Sequence, residues 1–431
     1  MNIFRALKHR NFRLFFLGQG ISMVGTWMQA VASGWLAYRL TNSAFMLGVV
    51  GFSSQVPIFL LGPFGGFVAD TGDKRRILVI TQILSMIQAL VLAVLTLSGR
   101  IEIWHIITLG AVLGCINAFD IPVRQSFVVD MVGKKDVLGN AIALNSFQFN
   151  AARLVGPSLA GVLIAFFGEG TCFLINGLSF IAVVWSLLAM KTLAAPPNHR
   201  GHGMIDGIRE GFDYVTGSLP MRYILALLSM VSIMGASYVV LMPVFAKDIL
   251  RGGPETLGFL MSSSGIGALG ATVYLASRKT VRGLARTIAV CASIFALSLV
   301  AFAFSRSLAI SMVILAVTGF GVMAHMAASN TILQTIADDD KRGRVMSFYT
   351  IAFIGTAPIG SLLSGVLAHS FGASNTLVFC GTVCLAASAI FASRLSAIRA
   401  AIRPIYTRMG IAPQLAAGIE TVDELTRPPE D

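Results

Sequence analysis

The 431-residue chain carries few charged residues: Asp, Glu, Lys and Arg make up 12% of it, hydrophobic residues make up 55%, and the mean hydropathy is +0.79. Soluble domains have about 25% charged residues, so this composition excludes a soluble enzyme. The net charge of +12 would suggest nucleic-acid binding in a soluble protein. Here the basic residues alternate with apolar runs, which favours a membrane protein and no nucleic-acid partner.

Apolar runs of roughly 20 residues, the length that crosses the hydrocarbon core of a bilayer, recur along the chain. They predict an all-α integral membrane protein with twelve transmembrane helices, at 12–38, 46–69, 77–98, 103–124, 140–167, 171–190, 222–246, 256–277, 286–305, 308–331, 345–370 and 374–393. The first run continues past Trp35 and is too long for the core of a signal peptide. Short connections predict that neighbouring helices pack antiparallel.

The predicted spans divide into two groups of six. We expect an N-terminal half over 1–191, a linker over 192–220, a C-terminal half over 221–394 and a tail over 395–431. The later part of the linker is mildly amphipathic and is expected at the membrane interface, whereas the acidic end of the tail is expected to be disordered. Lys and Arg concentrate before the first span, in the even-numbered loops and in the tail, which predicts cytoplasmic termini.

The two halves repeat each other at a fixed offset of 204 residues. Residues that recur at this offset include Asp136, Gly139, Gly156, Gly161 and Gly168, which fall on Asp340, Gly343, Gly360, Gly365 and Gly372. An offset without gaps indicates duplication of one six-helix unit. Two such pseudo-symmetric bundles facing each other in a membrane are typical of an alternating-access carrier.

A charged loop follows the second span and reads Gly66-x-x-x-Asp70-x-x-Asp73-Lys74-Arg75. A glycine at position 66 would let two helices approach closely. Two interpretations are open for the charges. They either set topology alone, or they form a clasp that locks the two halves closed on the cytoplasmic side and breaks when the halves move apart.

Polar residues within the spans are the candidates for a central cavity. On the first span, Ser22, Thr26 and Gln29 recur at helical spacing and are expected to face this cavity rather than lipid. Weaker candidates on the tenth and eleventh spans are His325, Asn330 and Tyr349. A lone histidine in a helix is more often hydrogen-bonded than functional.

Asp120 is the one acidic residue that lies well inside a predicted span, and Arg124 follows it four residues later. The spacing favours a local ion pair on one helix face. The alternative is a protonatable gate residue. Burial would raise the pKa of this carboxyl and the nearby cation would lower it, so both interpretations stay open.

Arg153 lies deep in the fifth span, where a cation costs at least ~2.5 kcal/mol. It shares a helix face with Ser146 and Asn150, and the duplicated position holds Ala357. We therefore expect Arg153 to face protein or a water-filled cavity. It either binds substrate or takes part in coupling, or it belongs to a structural ion pair.

Several stretches resemble the major facilitator superfamily. The loop from Gly66 to Arg75 is similar to the loop motif of that superfamily, and Gly156-Pro157-x-x-Ala160-Gly161 resembles the antiporter motif of its drug exporters, in which Gly156, Pro157 and Gly161 bend the helix. The stretches 120–125, 153–161 and 342–347 are similar to its branch of siderophore exporters, such as those for enterobactin. The resemblance implies a twelve-helix carrier that exports a siderophore-like or drug-like small molecule.

No H-E-x-x-H, P-loop or nucleophile-elbow motif occurs in the chain, so we expect no enzyme, no metal site and no cofactor. The favoured function is proton-coupled efflux by a monomer in the bacterial inner membrane, in contact with lipid. A proton-coupled importer and a lysophospholipid flippase are the alternatives among transporters. A membrane-embedded sensor or enzyme is the alternative outside that class.

Overall fold

The computed structural model describes residues 5–132, 135–190, 204–278, 280–338 and 341–409, and within these ranges the regular structure is helical. The helices are α1 (Arg10–Thr41), α2 (Ala44–Thr71), α3 (Lys74–Leu97), α4 (Ile103–Val132), α5 (Lys135–Phe167), α6 (Glu169–Ala189), α7 (Met204–Gly217), α8 (Leu219–Ile249), α9 (Pro254–Ala276), α10 (Leu284–Phe304), α11 (Leu308–Ile336), α12 (Arg342–Phe371), α13 (Ala373–Ser393) and α14 (Leu395–Arg408).

All helices except α7 and α14 coincide in order with the twelve predicted spans. Eleven of them are long and apolar enough to cross a membrane by length and composition. The twelfth is α1, whose 32 residues extend over about 48 Å at 1.5 Å per residue. It is less apolar than the others because it contains polar residues such as Gln19 and Gln29, both of which are buried. The all-α membrane fold is confirmed.

The helices pack in two groups with the same internal pattern. In the first group α1 packs on α5 and α6, α2 on α4, and α3 on α4 and α6. In the second group α8 packs on α12 and α13, α9 on α11, and α10 on α11 and α13. The most extensive contacts between the groups join α5 to α9 and α2 to α12. Two pseudo-symmetric six-helix bundles therefore face each other across these two contacts.

Helix ends recur at the 204-residue offset. The helices α4, α5 and α6 end at Val132, Phe167 and Ala189, and α11, α12 and α13 end at Ile336, Phe371 and Ser393. The connections after α5 and α12 both turn at a glycine with positive φ, 79° at Gly168 and 82° at Gly372. Residues other than glycine rarely adopt this backbone conformation, which explains why both copies of the turn hold glycine.

The two remaining helices lie on the side of the molecule that carries the termini, which we call the terminal side. The amphipathic helix α7 is held to the C-terminal half, since Tyr214 donates a hydrogen bond to Asp338 (2.9 Å) and Glu210 pairs with Arg344 (2.5 Å). The helix α14 follows α13 directly. The acidic end of the tail, which we expect to be disordered, lies outside the described residues.

Candidate functional site

The contact between α5 and α9 is a backbone-to-backbone approach. A Cβ atom on Gly161 would lie 2.8 Å from the carbonyl oxygen of Pro254 and 3.2 Å from the Cα atom of Gly258. Beside it, the hydroxyls of Ser158 and Ser262 are 2.6 Å apart. Only a glycine fits at position 161, so this residue allows the two helices to approach so closely. We call this contact the α5–α9 seam.

The contact between α2 and α12 uses the equivalent residue of the repeat. A Cβ atom on Gly48 would lie 2.8 Å from the Cα atom of Gly365, the copy of Gly161. Two turns further along α2, Gln55 donates a hydrogen bond of 3.3 Å to Ser361 of α12. Both seams therefore join the fifth helix of one half to the second helix of the other.

A polar latch joins the halves at the ends of α1 and α8, on the side opposite the termini. Tyr38 donates a short hydrogen bond to Asp248. Lys247 donates one of 2.6 Å to Asn42 and lies 5.4 Å from the centre of the Tyr38 ring. Together with the seams, the latch closes the molecule on the side away from the termini.

On the terminal side, the ends of the helices that form the seams, α2, α5 and α12, are open. A Cβ atom on Gly62 or Gly66 of α2, on Gly139 of α5 or on Gly343 of α12 would meet nothing within 4 Å. The close helix approach expected at Gly66 is therefore absent from this conformation. The contacts between the halves concentrate away from the termini, and the structure opens towards the terminal side.

A small pocket lies between the halves, beside the α5–α9 seam. Its volume is about 80 Å³, enough for roughly three water molecules at about 30 Å³ each. The N-terminal half supplies Trp27, Arg153 and Pro157, and the C-terminal half supplies Tyr238, Val239, Met242, Met261 and Ser264. The pocket thus has space for one small polar group, within a largely apolar and aromatic wall.

Arg153 is the one charged residue of this wall. It donates a hydrogen bond of 3.4 Å to Tyr238, whose hydroxyl lies 3.4 Å from that of Ser264, and its guanidinium carbon is 5.9 Å from the centre of the Trp27 ring. Among the described residues no carboxylate lies within 4.0 Å of it. The structural ion pair considered for Arg153 is therefore not formed in this conformation, and several of its five N–H donors stay available for an anion.

The rest of the expected α5 stripe does not reach the pocket. Ser146 is exposed, whereas Asn150 is buried and donates a hydrogen bond of 2.8 Å to the Ser146 carbonyl of its own helix. Helical spacing puts the three residues on one face of α5, but different parts of that face have different surroundings along the helix. Arg153 alone of the three lines the pocket.

The family described as transmembrane secretion effectors, a branch of the major facilitator superfamily, matches residues 2–415. The chain belongs to this family. It is 29% identical to the staphyloferrin A transporter of Staphylococcus aureus, over 89% of this chain and 96% of the relative. It is 24% identical to the multidrug efflux pump Tap of Mycolicibacterium fortuitum, over 88% and 95% of the two chains.

Solved structures agree on the fold. A bacterial homologue of the human lysosomal transporter Spinster, in an inward-facing and unoccupied conformation, superposes with a TM-score of 0.66 at 13% identity, over 92% of this chain and 98% of the other. The family match and these relatives make the protein a membrane transporter of the major facilitator type, in agreement with the resemblance of its motifs.

The polar stripe of α1 is a correction to the sequence analysis. Ser22 and Gln29 are buried inside the N-terminal half. Gln29 donates a hydrogen bond of 3.0 Å to Gln88 and accepts one of 2.8 Å from Asn176. Thr26 is exposed and donates to the Ser22 carbonyl. In this conformation neither Ser22 nor Gln29 faces the central cavity, contrary to the expectation: both are buried, and the Gln29 amide is satisfied by Gln88 of α3 and Asn176 of α6.

Asp120 forms the local ion pair that its spacing favours. Its carboxylate pairs with Arg124 and accepts hydrogen bonds of 2.8 Å from both Thr81 and Gln82 on α3. The carboxylate is almost fully buried, so this cluster ties α3 to α4. The alternative role as a gate residue stays a prediction.

The charged loop also contacts its own half. Lys74 pairs with Asp130 of α4 at 2.7 Å, and Arg75 donates hydrogen bonds of 2.8 Å to the carbonyls of Leu187 and Leu188 at the end of α6. These bonds satisfy carbonyls that a helix end leaves unpaired. The clasp between the halves stays a prediction for a conformation closed on the terminal side.

At the tip of the loop, Asp73 caps α3 by accepting a bond of 3.1 Å from the Arg76 amide. Asp70 is exposed and has no ion-pair partner in the part of the chain that the structure describes. The structure thus gives Asp73 a local role and leaves Asp70 accessible.

The weaker candidates lie elsewhere in the C-terminal half. His325 is fully buried, and neither ring nitrogen has a hydrogen-bond partner in the described structure. Asn330 accepts a bond of 2.6 Å from Gln334, and Tyr349 donates one of 3.3 Å to the Met326 carbonyl. None of the three lines the pocket.

The glycines around Pro157 act in packing. A Cβ atom on Gly156 would lie 2.5 Å from the Cβ atom of Trp27, so α5 presses on α1 there. The helix continues unbroken through Pro157. Sequence reasoning missed Trp27, Tyr238 and Ser264, since each reaches Arg153 from another helix; no periodicity within one helix carries that information.

Proposed function

We propose that this transporter exports a small amphipathic organic anion from the bacterial cytoplasm by proton antiport and alternating access. In this proposal the protein lies in the inner membrane with both termini cytoplasmic, so that the terminal side of the structure is the inward-facing side. The observation that carries the proposal is Arg153, a cation that has no carboxylate partner among the described residues and lies in a pocket built by both halves.

The position of the pocket suits alternating access. An anion on Arg153 would also reach the Tyr238 and Ser264 hydroxyls of the opposite half. Its binding free energy would then depend on how the halves sit against each other, which is the differential affinity that a conformational change requires. Trp27 and Met261 supply an apolar surface for the body of the substrate.

The volume of the pocket limits what it holds. A space of about 80 Å³ takes a carboxylate or a phenolate, and the rest of the substrate would lie towards the open terminal side. The named relatives, a siderophore transporter and a multidrug efflux pump, support a small-molecule substrate and favour export over import.

Proton coupling is supported by two features of the chain. It has no P-loop, so the energy for transport would come from a gradient. Asp120 lies buried at a place where protonation would break its pair with Arg124, and we propose it as the coupling acid.

The test uses a pair of probes that differ in charge alone. Purified protein in proteoliposomes with an imposed pH gradient should transport dansylglycine, an anion, and should not transport its neutral amide. Replacing Arg153 with Ala should lower transport of the anion about 10- to 100-fold, the value of a charge-assisted hydrogen bond. Arg153→Lys should keep part of the activity, because it keeps the charge and loses the planar fork.

The control is Arg222→Ala, which removes an exposed arginine at the start of α8. Folded protein is quantified for each variant by size-exclusion chromatography. Equal transport of the amide, or normal transport by Arg153→Ala, would reject an anion site. A loss of folded protein in Arg153→Ala would assign the residue to structure. Transport that does not respond to collapse of the pH gradient would reject proton coupling.

A further inference from the structure

A second cavity, of about 250 Å³, lies at the terminal side of the C-terminal half. Its walls are the start of α10 and the helix α14, and it is far from Arg153 in the fold. The polar residues that line it are Arg282, Arg399, Arg403 and Tyr406. At about 30 Å³ for a water molecule, the space holds roughly eight waters or one compact charged group.

The sequence of α14 explains how the cavity forms. Ile398, Ile402 and Tyr406 recur every four residues and are buried against the spans. This single apolar stripe fixes α14 along the ends of α8 and α10. Arg399 and Arg403 each follow a residue of the stripe, so both guanidinium groups lie at the edge of the helix that faces the cavity.

Among the described residues, the charge of this cavity is uncompensated. Arg282, Arg399 and Arg403 make no ion pair with any described carboxylate, and no acidic residue lines the walls. All three arginines are exposed where they line the space, and an anion between cations of one sign lowers their mutual repulsion. Arginine forks match the paired oxygens of phosphate in particular.

Two further groups point to the same kind of ligand. Tyr406 is only 9% exposed, yet it lines the cavity and its hydroxyl has no hydrogen-bond partner among the described residues. Burial raises the pKa of Tyr406, so the hydroxyl remains a donor at neutral pH. The helix α10 begins at the cavity with Gly283 as an N-cap that offers no side chain, and a helix N-terminus favours negative charge.

We propose that this cavity binds the phosphate of an anionic phospholipid headgroup. Its location at the ends of the spans, beside an amphipathic helix, puts the three arginines at the level of headgroups. The site is separate from the pocket between the halves and does not depend on the transported substrate. A free phosphate ion would offer the same oxygens, and the experiment separates the two sources.

Native mass spectrometry of the full-length protein tests the proposal. The protein is released from nanodiscs that contain equal amounts of phosphatidylglycerol and phosphatidylcholine. We expect retained phosphatidylglycerol, since the choline cation of the other lipid is repelled by the arginines. Arg403→Gln should lower the retained fraction about tenfold, and Tyr406→Phe, which keeps the buried ring, should lower it by a smaller factor.

The matched control is Arg222→Gln, which removes one exposed positive charge elsewhere on the terminal side. Full retention in this control would support a built site. An equal loss in Arg403→Gln and Arg222→Gln would reduce the effect to general attraction by a basic surface and overturn the proposal, as would equal retention of both lipids. If phosphatidylglycerol is not retained while inorganic phosphate binds with the same dependence on Arg403 and Tyr406, the cavity is a site for the free ion and the lipid is rejected.

Discussion

Replacing Gly161 with Ala should open the side of the transporter away from the termini. The new Cβ atom would lie 2.8 Å from the Pro254 oxygen, 2.9 Å from the Glu255 Cα atom and 3.2 Å from the Gly258 Cα atom, where ordinary contacts are 3.4–4 Å. All three are backbone atoms, which cannot rotate away. The α5–α9 seam must therefore widen by roughly half an ångström, and overpacking of this kind costs about 1–3 kcal/mol.

The cost falls on one conformation alone. The transporter can avoid the clash by separating α5 from α9, which it does when the halves rock apart on that side. Taking about 2 kcal/mol, the equilibrium between the two conformations shifts about 30-fold, since each 1.36 kcal/mol is a factor of ten. A population of about ten to one in favour of the closed seam would become about one to three.

Spin labels at Thr171 and Asn375 measure this shift. The two residues are copies of each other in the first turns of α6 and α13 and belong to different halves, so their separation reports opening. The exposed Cys115 is replaced by Ser before labelling. Double electron–electron resonance should show a longer distance gaining population in Gly161→Ala. The control Gly139→Ala lies on the same helix with nothing within 4 Å, and an equal shift in that variant, or none in Gly161→Ala, would refute the reasoning.

Two further predictions concern buried polar groups. Asp120→Asn leaves Arg124 without its carboxylate, and we expect a loss of about 3 kcal/mol of stability, seen as a lower melting temperature in detergent. A second change, Arg124→Gln, should reduce this loss. Loss of pH-driven transport in the folded Asp120→Asn protein would support Asp120 as the coupling acid, and pH-driven transport that persists would reject that role. His325→Leu removes two unpaired nitrogens whose burial costs about 1–3 kcal/mol, so the melting temperature should stay or rise and transport should persist. Transport lost from folded His325→Leu protein would show that the histidine has a role in the cycle.

The spans and the repeat could be predicted from sequence because each depends on local properties. The hydropathy of about 20 residues locates a transmembrane helix whatever its neighbours are. Gly168 and Gly372 both have a positive φ, which few other residues tolerate. The face of a helix that meets the cavity depends on its neighbours. On α1 the missed signal was Gly25: a Cβ atom there would lie 2.5 Å from Asn176, and a small residue beside a polar stripe indicates a packed helix rather than water.

The sequence predicted one residue of the candidate site, Arg153, and did not predict the residues around it. Arg153 stood out because a charge deep in a span is costly wherever it lies. Tyr238 and Trp27 look in the sequence like ordinary apolar lining, and only the approach of α8 and α1 to α5 gives them a role. The latch of Tyr38 and Asp248 was missed for the same reason, since its partners are 210 residues apart.

The use of one glycine, Gly161 and its copy Gly365, in both seams has an evolutionary consequence. An unfused six-helix ancestor could have assembled as a two-fold symmetric pair through the same surface, with every residue occurring twice. A cation at the place of Arg153 would then have occurred in both halves. In one fused chain the two positions are free to differ, and they hold Arg153 and Ala357. A single chain can thus carry an asymmetric pocket, which a homodimer of identical halves cannot encode.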